Sequence, residues 1–152
     1  SLTTYQNMEL ALPGNQNWFT NLYKQITSEE HDQISSILER VGLQNELQTE
    51  AKYLSHGQRQ WLAISTLVLS SPKLLLVDEP AAGLTDAETE LTAELLLELK
   101  GDHTLIVIEH DIDFVRQLNS PVTMLHEGKI MAEGTLAELQ QNDAVIEAYL
   151  GR

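Results

Sequence analysis

Short, continuously apolar segments alternate with a helical pattern in the second half of the chain. Residues 73–77 (KLLLV) and 105–108 (LIVI) have the length and composition of strands that are buried on both faces of a parallel sheet. Between them, residues 86–100 form a Leu- and Glu-rich amphipathic pattern that predicts a helix. Since parallel strands need a crossover connection, this alternation predicts right-handed crossovers and an α/β layer.

The character of the sequence changes at Pro72. Before it the periodicity is helical: Thr27 and Glu30 match a capping box that opens a helix, and Gly42 is placed to end that helix. Ser55 is placed to cap a later helix. Further helices are predicted over 2–11, 57–70, 111–118, 135–139 and 144–150, with a turn at 12–15. A third strand is predicted over 122–125, followed by a hairpin turn at 127–128 and a strand over 129–132. We therefore expect a helical part, residues 1–72, and an α/β part, residues 73–152.

Charge and cysteine content exclude several classes of function. The 152 residues carry 9 Lys and Arg against 23 Asp and Glu, a formal net charge of -14, which argues against nucleic acid as a partner because an acidic surface repels phosphate. The absence of cysteine excludes disulfides, thiolate zinc sites and a cysteine nucleophile. With no apolar run of bilayer length and no signal-peptide pattern, a soluble, intracellular protein is expected.

Two carboxylates follow the first predicted strand in the segment LLLVDEP. Ligands bind beyond the carboxyl ends of the strands in open parallel sheets, where Asp78 and Glu79 would lie. Adjacent carboxylates there can divide the work, one near a Mg²⁺ ion and the other orienting or deprotonating a water. A solvated acidic turn is an equally good interpretation of this segment by itself.

Two other segments have the chemistry of anion sites. In LSHGQRQ, the Ser55 hydroxyl, Gly57 and the free N–H groups of the following helix can hold an anion, although a simple helix cap explains the same residues. His110 follows the second predicted strand and can donate a hydrogen bond to a phosphate oxygen, although a lone histidine there is more often a cap for the next helix.

Taken together, these segments resemble the ATP-binding subunit of ABC transporters over nearly the whole chain. LSHGQRQ is similar to the signature motif, LLLVDEP to Walker B with its catalytic glutamate, residues 82–85 (AGLT) to the D-loop, and His110 to the H-loop histidine. The order and spacing also agree. The resemblance implies a partial P-loop NTPase (RecA-like) core, α/β in class, with a helical subdomain that carries the signature motif.

The resemblance also implies roles for individual residues. Asp78 would hold Mg²⁺ through its water shell, Glu79 would act on the attacking water, and His110 would contact the γ-phosphate of ATP. The residues expected to approach a nucleotide held mainly by a second ATP-binding subunit, or to lie at the seam of that head-to-tail dimer, are Ser55, His56, Gly57, Gln58, Gly83 and Thr85. The protein would lie on the inner face of the cell membrane against transmembrane permease subunits.

Two positions depart from the usual pattern of the family. His56 replaces the more usual second glycine of the signature motif, and Thr85 stands where many members carry Asp. His56, Trp61, the D-loop sequence AAGLT and the carboxyl-terminal segments are similar to uptake systems for urea and for branched-chain amino acids, and urea is preferred.

The 152 residues lack a phosphate-binding loop. Such a loop needs Gly, four residues, then Gly-Lys and Ser or Thr; the Gly128-Lys129 pair is followed by Ile130 and has Thr123 at the upstream position. We therefore expect a truncated cassette that lacks Walker A and the Q-loop, binds ATP weakly and does not hydrolyse it alone. Uncovered sheet surface is expected to favour self-association.

Two alternatives from other classes remain open. The chain could be a non-catalytic acidic interaction module, or it could belong to a soluble ABC protein that acts in DNA repair or translation. Intact Asp78, Glu79 and His110 favour the enzyme, and neither a long coiled coil nor a basic stripe is present.

Overall fold

The computed structural model describes residues 1–13, 26–101 and 103–150, with the backbone alone for residues 149 and 150. The chain forms two compact units, Ser1–Ile108 and Glu109–Arg152. The first contains α1 (Thr4–Ala11), α2 (Ser28–Arg40), a 3-10 turn (Ala51–Tyr53), α3 (His56–Leu69), β1 (Leu74–Asp78), α4 (Asp86–Leu99) and β2 (Thr104–Ile108). The second contains α5 (Ile112–Leu118), β3 (Val122–His126), β4 (Lys129–Gly134), α6 (Leu136–Leu139) and α7 (Asp143–Leu150).

These elements confirm the predicted helices and strands, with ends that differ by one or two residues. The predicted turn at 12–15 extends into residues 14 and 15, outside the described part of the chain. The predicted boundary at residue 72 lies inside the first compact unit, which continues to Ile108. The division into a helical and an α/β part stays a prediction.

Helices α1, α2 and α3 pack around an apolar core in the first unit. Its buried side chains are Met8, Leu12, Ile34, Leu38, Val41, Leu43, Leu54, Leu62 and Leu69. Both the Thr27–Glu30 capping box and the Ser55 cap form as predicted. Gly42, at φ 70°, ends α2 as predicted, with the amide of Leu43 bonded back to the carbonyl of Leu38 at 2.8 Å. Local sequence therefore sets where these helices begin and end.

Strands β1 and β2 pair in parallel, as predicted, with Leu76 opposite Ile106. The expectation that both strands are buried on both faces is wrong for this structure. Leu75 and Val77 are buried, but the other face is open, with Leu76 64 % and Ile106 50 % exposed. The two strands carry apolar side chains at every position, and the described residues cover one face only.

The second unit contains an antiparallel hairpin. Strand β3 pairs with β4 and not with β1 or β2 within the described residues, so the predicted third strand does not extend the parallel pair. Glu127 and Gly128, at φ 49° and 75°, make the predicted tight turn, whose left-handed residues match the twist of the two strands. Phe114 is fully buried in this unit. Within the part of the chain that the structure describes, no helix has the length and apolar character to cross a membrane.

Candidate functional site

Asp78 and Glu79 lie at the carboxyl end of β1, and both are exposed, which suits a ligand site and a solvated acidic turn equally. Glu79 has a left-handed backbone at φ 46°, a conformation that costs of the order of 1 kcal/mol or more for a residue with a side chain. Its amide donates to the carbonyl of Ile108 at 2.9 Å, and its carbonyl accepts from the amide of Ala82 at 3.1 Å. These two bonds hold the strained residue between β2 and the turn that follows.

Ser55 and Gln58 form a reciprocal cap at the start of α3. The Ser55 hydroxyl oxygen accepts from the amide of Gln58 at 3.1 Å, and the Gln58 side-chain oxygen accepts from the amide of Ser55 at 2.9 Å. Both bonds stabilise the exposed helix start, which carries a partial positive charge. The simple cap interpretation of this segment is therefore confirmed, and the site for an anion stays a prediction.

His56 connects the helix start to residues 82–85. Its Nε2 lies 3.0 Å from the carbonyl oxygen of Ala82. Because a carbonyl only accepts, the Nε2 nitrogen carries the hydrogen in this bond. Gly83, at φ 70°, lies beside the same ring, and a Cβ there would be 3.6 Å from the His56 Cδ2 atom.

Gly57 is buried beneath the carboxylate of Glu88. A Cβ at Gly57 would lie 2.5 Å from Glu88 Oε1, closer than atoms can approach, so glycine is needed while Glu88 keeps this position. Glu88 is held there by Thr85, whose amide and hydroxyl donate to Glu88 Oε2 at 2.9 and 2.8 Å. These hydrogen bonds lower the pKa of Glu88, with a smaller contribution from His56.

Glu88, Trp61 and Thr92 were not predicted as functional residues, whereas Thr85 was. Glu88 and Thr85 form a capping box at the start of α4, and the Thr-x-x-Glu spacing could have identified it. Trp61 Nε1 donates to Thr92 Oγ1 at 2.9 Å, which in turn donates to the carbonyl of Glu88 at 2.7 Å. The Trp61–Thr92 pair is 31 positions apart and has no local sequence pattern.

His110 lies in the second unit, and its side chain is 77 % exposed. The backbone amides of His110 and Asp111 donate to Oε2 of Glu109 at 2.8 and 3.2 Å, and the Glu109 side chain is only 2 % exposed. The alternative interpretation of His110 as a helix cap is wrong, since Asp111 caps α5 through the amides of Asp113 and Phe114. Glu109 was missed because no sequence motif shows that its carboxylate accepts hydrogen bonds from the next two backbone amides.

The donor chemistry at Asp78 suits Mg²⁺. This ion binds proteins through one or two carboxylates and completes its coordination with waters and substrate phosphates. Asp78 presents one exposed carboxylate at a strand end. No group of three or more metal-binding side chains occurs among the described residues. The carboxylate of Asp78 is of the kind that Mg²⁺ binds, and its role as a ligand stays a prediction.

Comparison with known proteins decides the family. The sequence profile described as "ABC transporter" matches residues 2–82, more than half of the chain. The chain belongs to the ABC transporter family. A second profile, described as "Branched-chain amino acid ATP-binding cassette transporter", matches residues 129–152.

One relative within this ABC family is the high-affinity branched-chain amino acid transport ATP-binding protein LivG of Salmonella typhimurium. It is 36% identical over 134 residues, which cover 87% of this chain and 52% of LivG. The chain thus spans about half the length of such relatives.

Solved structures of ABC cassettes confirm the fold class. The ATP-binding cassette MJ1267 superposes with a TM-score of 0.80 at 26% identity, covering 98% of this chain and 63% of that one. The dimeric cassette MJ0796 gives a TM-score of 0.72 at 25% identity, covering 89% of this chain and 57% of that one. The α/β NTPase fold and the ABC family are therefore established for this chain, whereas the roles of its individual site residues stay predictions.

Proposed function

We propose that this chain is the signature and Walker B part of an ATP-hydrolysing ABC subunit that powers solute import. The observation that carries the proposal is the presentation of Asp78 and Glu79, both exposed at the end of β1, next in sequence to a D-loop that contacts the signature helix. The relatives named as transport ATP-binding proteins support the same function.

In the proposed mechanism, Asp78 holds Mg²⁺ and Glu79 acts on the attacking water. The ion, when bound, neutralises charge that develops on the phosphate oxygens. Glu79 orients the water and accepts its proton, and its backbone is held by bonds to Ile108 and Ala82. His110 donates a hydrogen bond to the γ-phosphate, with its backbone held by Glu109.

The signature residues act on a nucleotide bound by a second ATP-binding subunit. Ser55, Gly57 and Gln58 lie at the positive end of α3, which favours phosphate oxygens. His56 lies on the same first turn, while Gly83 and Thr85 of the D-loop lie at the seam of the head-to-tail dimer. The dimeric cassette MJ0796 supports this arrangement by analogy. Transmembrane permease subunits, which this protein would contact at the inner face of the cell membrane, complete the proposed assembly.

The solute is proposed to be a branched-chain amino acid. The name of LivG and the profile match at residues 129–152 support it. Urea is the second candidate, since His56 and Trp61 are similar to uptake systems for urea as well as for branched-chain amino acids. Uptake of radiolabelled leucine and of urea, in cells with and without the gene, separates the two, because only the true substrate loses uptake on deletion.

ATP hydrolysis is tested with Glu79→Gln. In a subunit that joins this chain to a phosphate-binding loop, we expect the rate to fall at least a hundredfold, because the group that acts on the water is lost. The control is Glu94→Gln, which removes an exposed carboxylate of α4 and should leave the rate unchanged. An undiminished rate in Glu79→Gln would support the non-catalytic module instead.

The 152 residues alone are expected to bind ATP weakly, because they contain no phosphate-binding loop to hold the β- and γ-phosphates. Titration of the purified chain with a fluorescent ATP analogue in the presence of Mg²⁺ measures this. Tight binding that is lost in Asp78→Asn would contradict the expectation.

A further inference from the structure

We propose that His56 is a positioning residue that fixes the D-loop, residues 82–85, against the start of α3, so that the signature motif and the D-loop move as one unit. The consequence for catalysis rests on the proposed function, whereas the contact itself does not.

The first support is the hydrogen bond from His56 Nε2 to the carbonyl oxygen of Ala82 at 3.0 Å. A glycine at position 56 has no side chain with which to make this bond. The ring also lies against Gly83, at ordinary van der Waals distance from where a Cβ would be. The imidazole therefore bonds the backbone of the D-loop at Ala82 and lies beside the next residue, Gly83.

The second support is the contact between the next residue of α3 and the helix that follows the D-loop. Gly57 packs against the side chains of Glu88 and Leu84. Glu88 is bonded in turn to the amide and hydroxyl of Thr85, the last residue of the D-loop. The D-loop is thus held at Ala82 by His56 and at Thr85 by a carboxylate that rests on Gly57.

The third support lies one turn further along α3. Trp61 donates to Thr92 of α4 at 2.9 Å, and Thr92 donates to the carbonyl of Glu88. Contacts at residues 56, 57 and 61 of α3 therefore meet residues 82, 88 and 92 in the same order. Two helix starts joined at several levels leave the D-loop little freedom to move without α3.

Mobility of the D-loop is the direct test, measured by amide hydrogen exchange of peptides that contain residues 82–85 in the purified protein. Loss of one hydrogen bond of ordinary strength corresponds to about a fivefold change in an opening equilibrium. We expect His56→Ala and His56→Gly to speed exchange about fivefold, and His56→Gln, whose amide N–H reaches about as far as Nε2, to restore it to within about twofold.

The matched control is His103→Ala. His103 makes the same kind of bond, from Nδ1 to the carbonyl oxygen of Pro72 at 2.7 Å, but away from the D-loop. Its loss should leave exchange at 82–85 unchanged. Should His56→Ala fail to fold, His56→Asn, whose amide stops short of the Nε2 position, is compared with His56→Gln. Equal exchange in all His56 variants and the unsubstituted protein would overturn the proposal.

Turnover in an ATPase-competent subunit separates positioning from direct nucleotide contact. We expect His56→Ala to lower kcat about fivefold with KM for ATP within about twofold, and His56→Gln to recover kcat. A raised KM with unchanged kcat would overturn the proposal, because it would place the imidazole on the nucleotide. If the unsubstituted subunit does not hydrolyse ATP, the proposed function fails, while the exchange result still decides the role of His56.

Discussion

At Gly57 a single missing side chain allows two elements to approach. The Glu88 carboxylate occupies the space that a Cβ would need, and its bonds to Thr85 keep it there. A larger residue must therefore displace Glu88 and break those bonds, or separate α3 from α4.

Gly57→Ala is expected to destabilise the protein, because the added Cβ forces the Glu88 carboxylate away from its bonds to Thr85. Urea unfolding measures the free energy. In a Glu88→Ala background the same substitution should cost less, because the obstructing carboxylate is gone. Gly101→Ala is the control, since its Cβ would lie 3.9 Å from the nearest atom. Equal costs in the two backgrounds would contradict the packing argument.

The charge of Glu88 should make stability depend on pH. Its pKa is lowered by hydrogen bonds from Thr85, so the ionised form stabilises the folded state. That stabilisation is complete above the ordinary value of 4.5 and is lost as the pH falls through the lowered pKa of the folded protein.

The stability advantage of the unsubstituted protein over Glu88→Gln is therefore expected to be larger at about pH 7 than at about pH 3. Thermal unfolding across this range provides the measurement. Glu94→Gln controls for the removal of one carboxylate from an acidic chain. If the advantage instead grew as the pH fell, the ionised form of Glu88 would not be the form that stabilises the folded protein.

At the scale of elements, the helix starts were predictable because their chemistry is local. Thr27 and Glu30 bond each other's backbone across three positions, and the same Thr-x-x-Glu box recurs at Thr85 and Thr135. The ends of strands were predicted only to within two residues, because an apolar run alone does not mark where strand pairing stops.

Thr27→Ala should cost about 1 kcal/mol, because the hydroxyl that accepts the Glu30 amide is lost at the start of α2. Chemical denaturation checks this value. Ser36→Ala, at an exposed position inside the same helix, should be neutral or slightly stabilising, since alanine has the higher helix propensity. A cost as large as that of Thr27→Ala would mean that helix propensity, and not the cap, sets the stability of α2.

At the scale of the whole molecule, the open face of β1 and β2 gathers four exposed apolar side chains on one surface. Leu74, Leu76, Ile106 and Ile108 are each between 49% and 64% exposed and share one face of the parallel pair. Burial of such a face is favourable by roughly 25 cal/mol per Å² of apolar surface. Self-association of the chain is therefore expected to increase with its concentration.

Light scattering of the purified chain should show an average mass that rises above 17.0 kDa with concentration. Leu76→Thr with Ile106→Thr places a β-branched residue at both strand positions and should reduce this rise. Leu91→Thr, at a 52% exposed position on α4, is the control and should not. A clean monomer at every concentration would remove the basis for the proposed self-association.

The sequence by itself determined the local structure and the family of this protein. Residues close together along the chain determine the helix caps, the Glu127-Gly128 turn and the motifs, so these features can be recognised without coordinates. The tertiary structure alone decided that His56 bonds Ala82, that Glu88 lies over Gly57, and that one face of the β1–β2 pair is open. The two contacts join residues about thirty positions apart, and the exposure of the strand face depends on which elements pack against it. No local sequence pattern encodes a long-range contact or the cover of a surface.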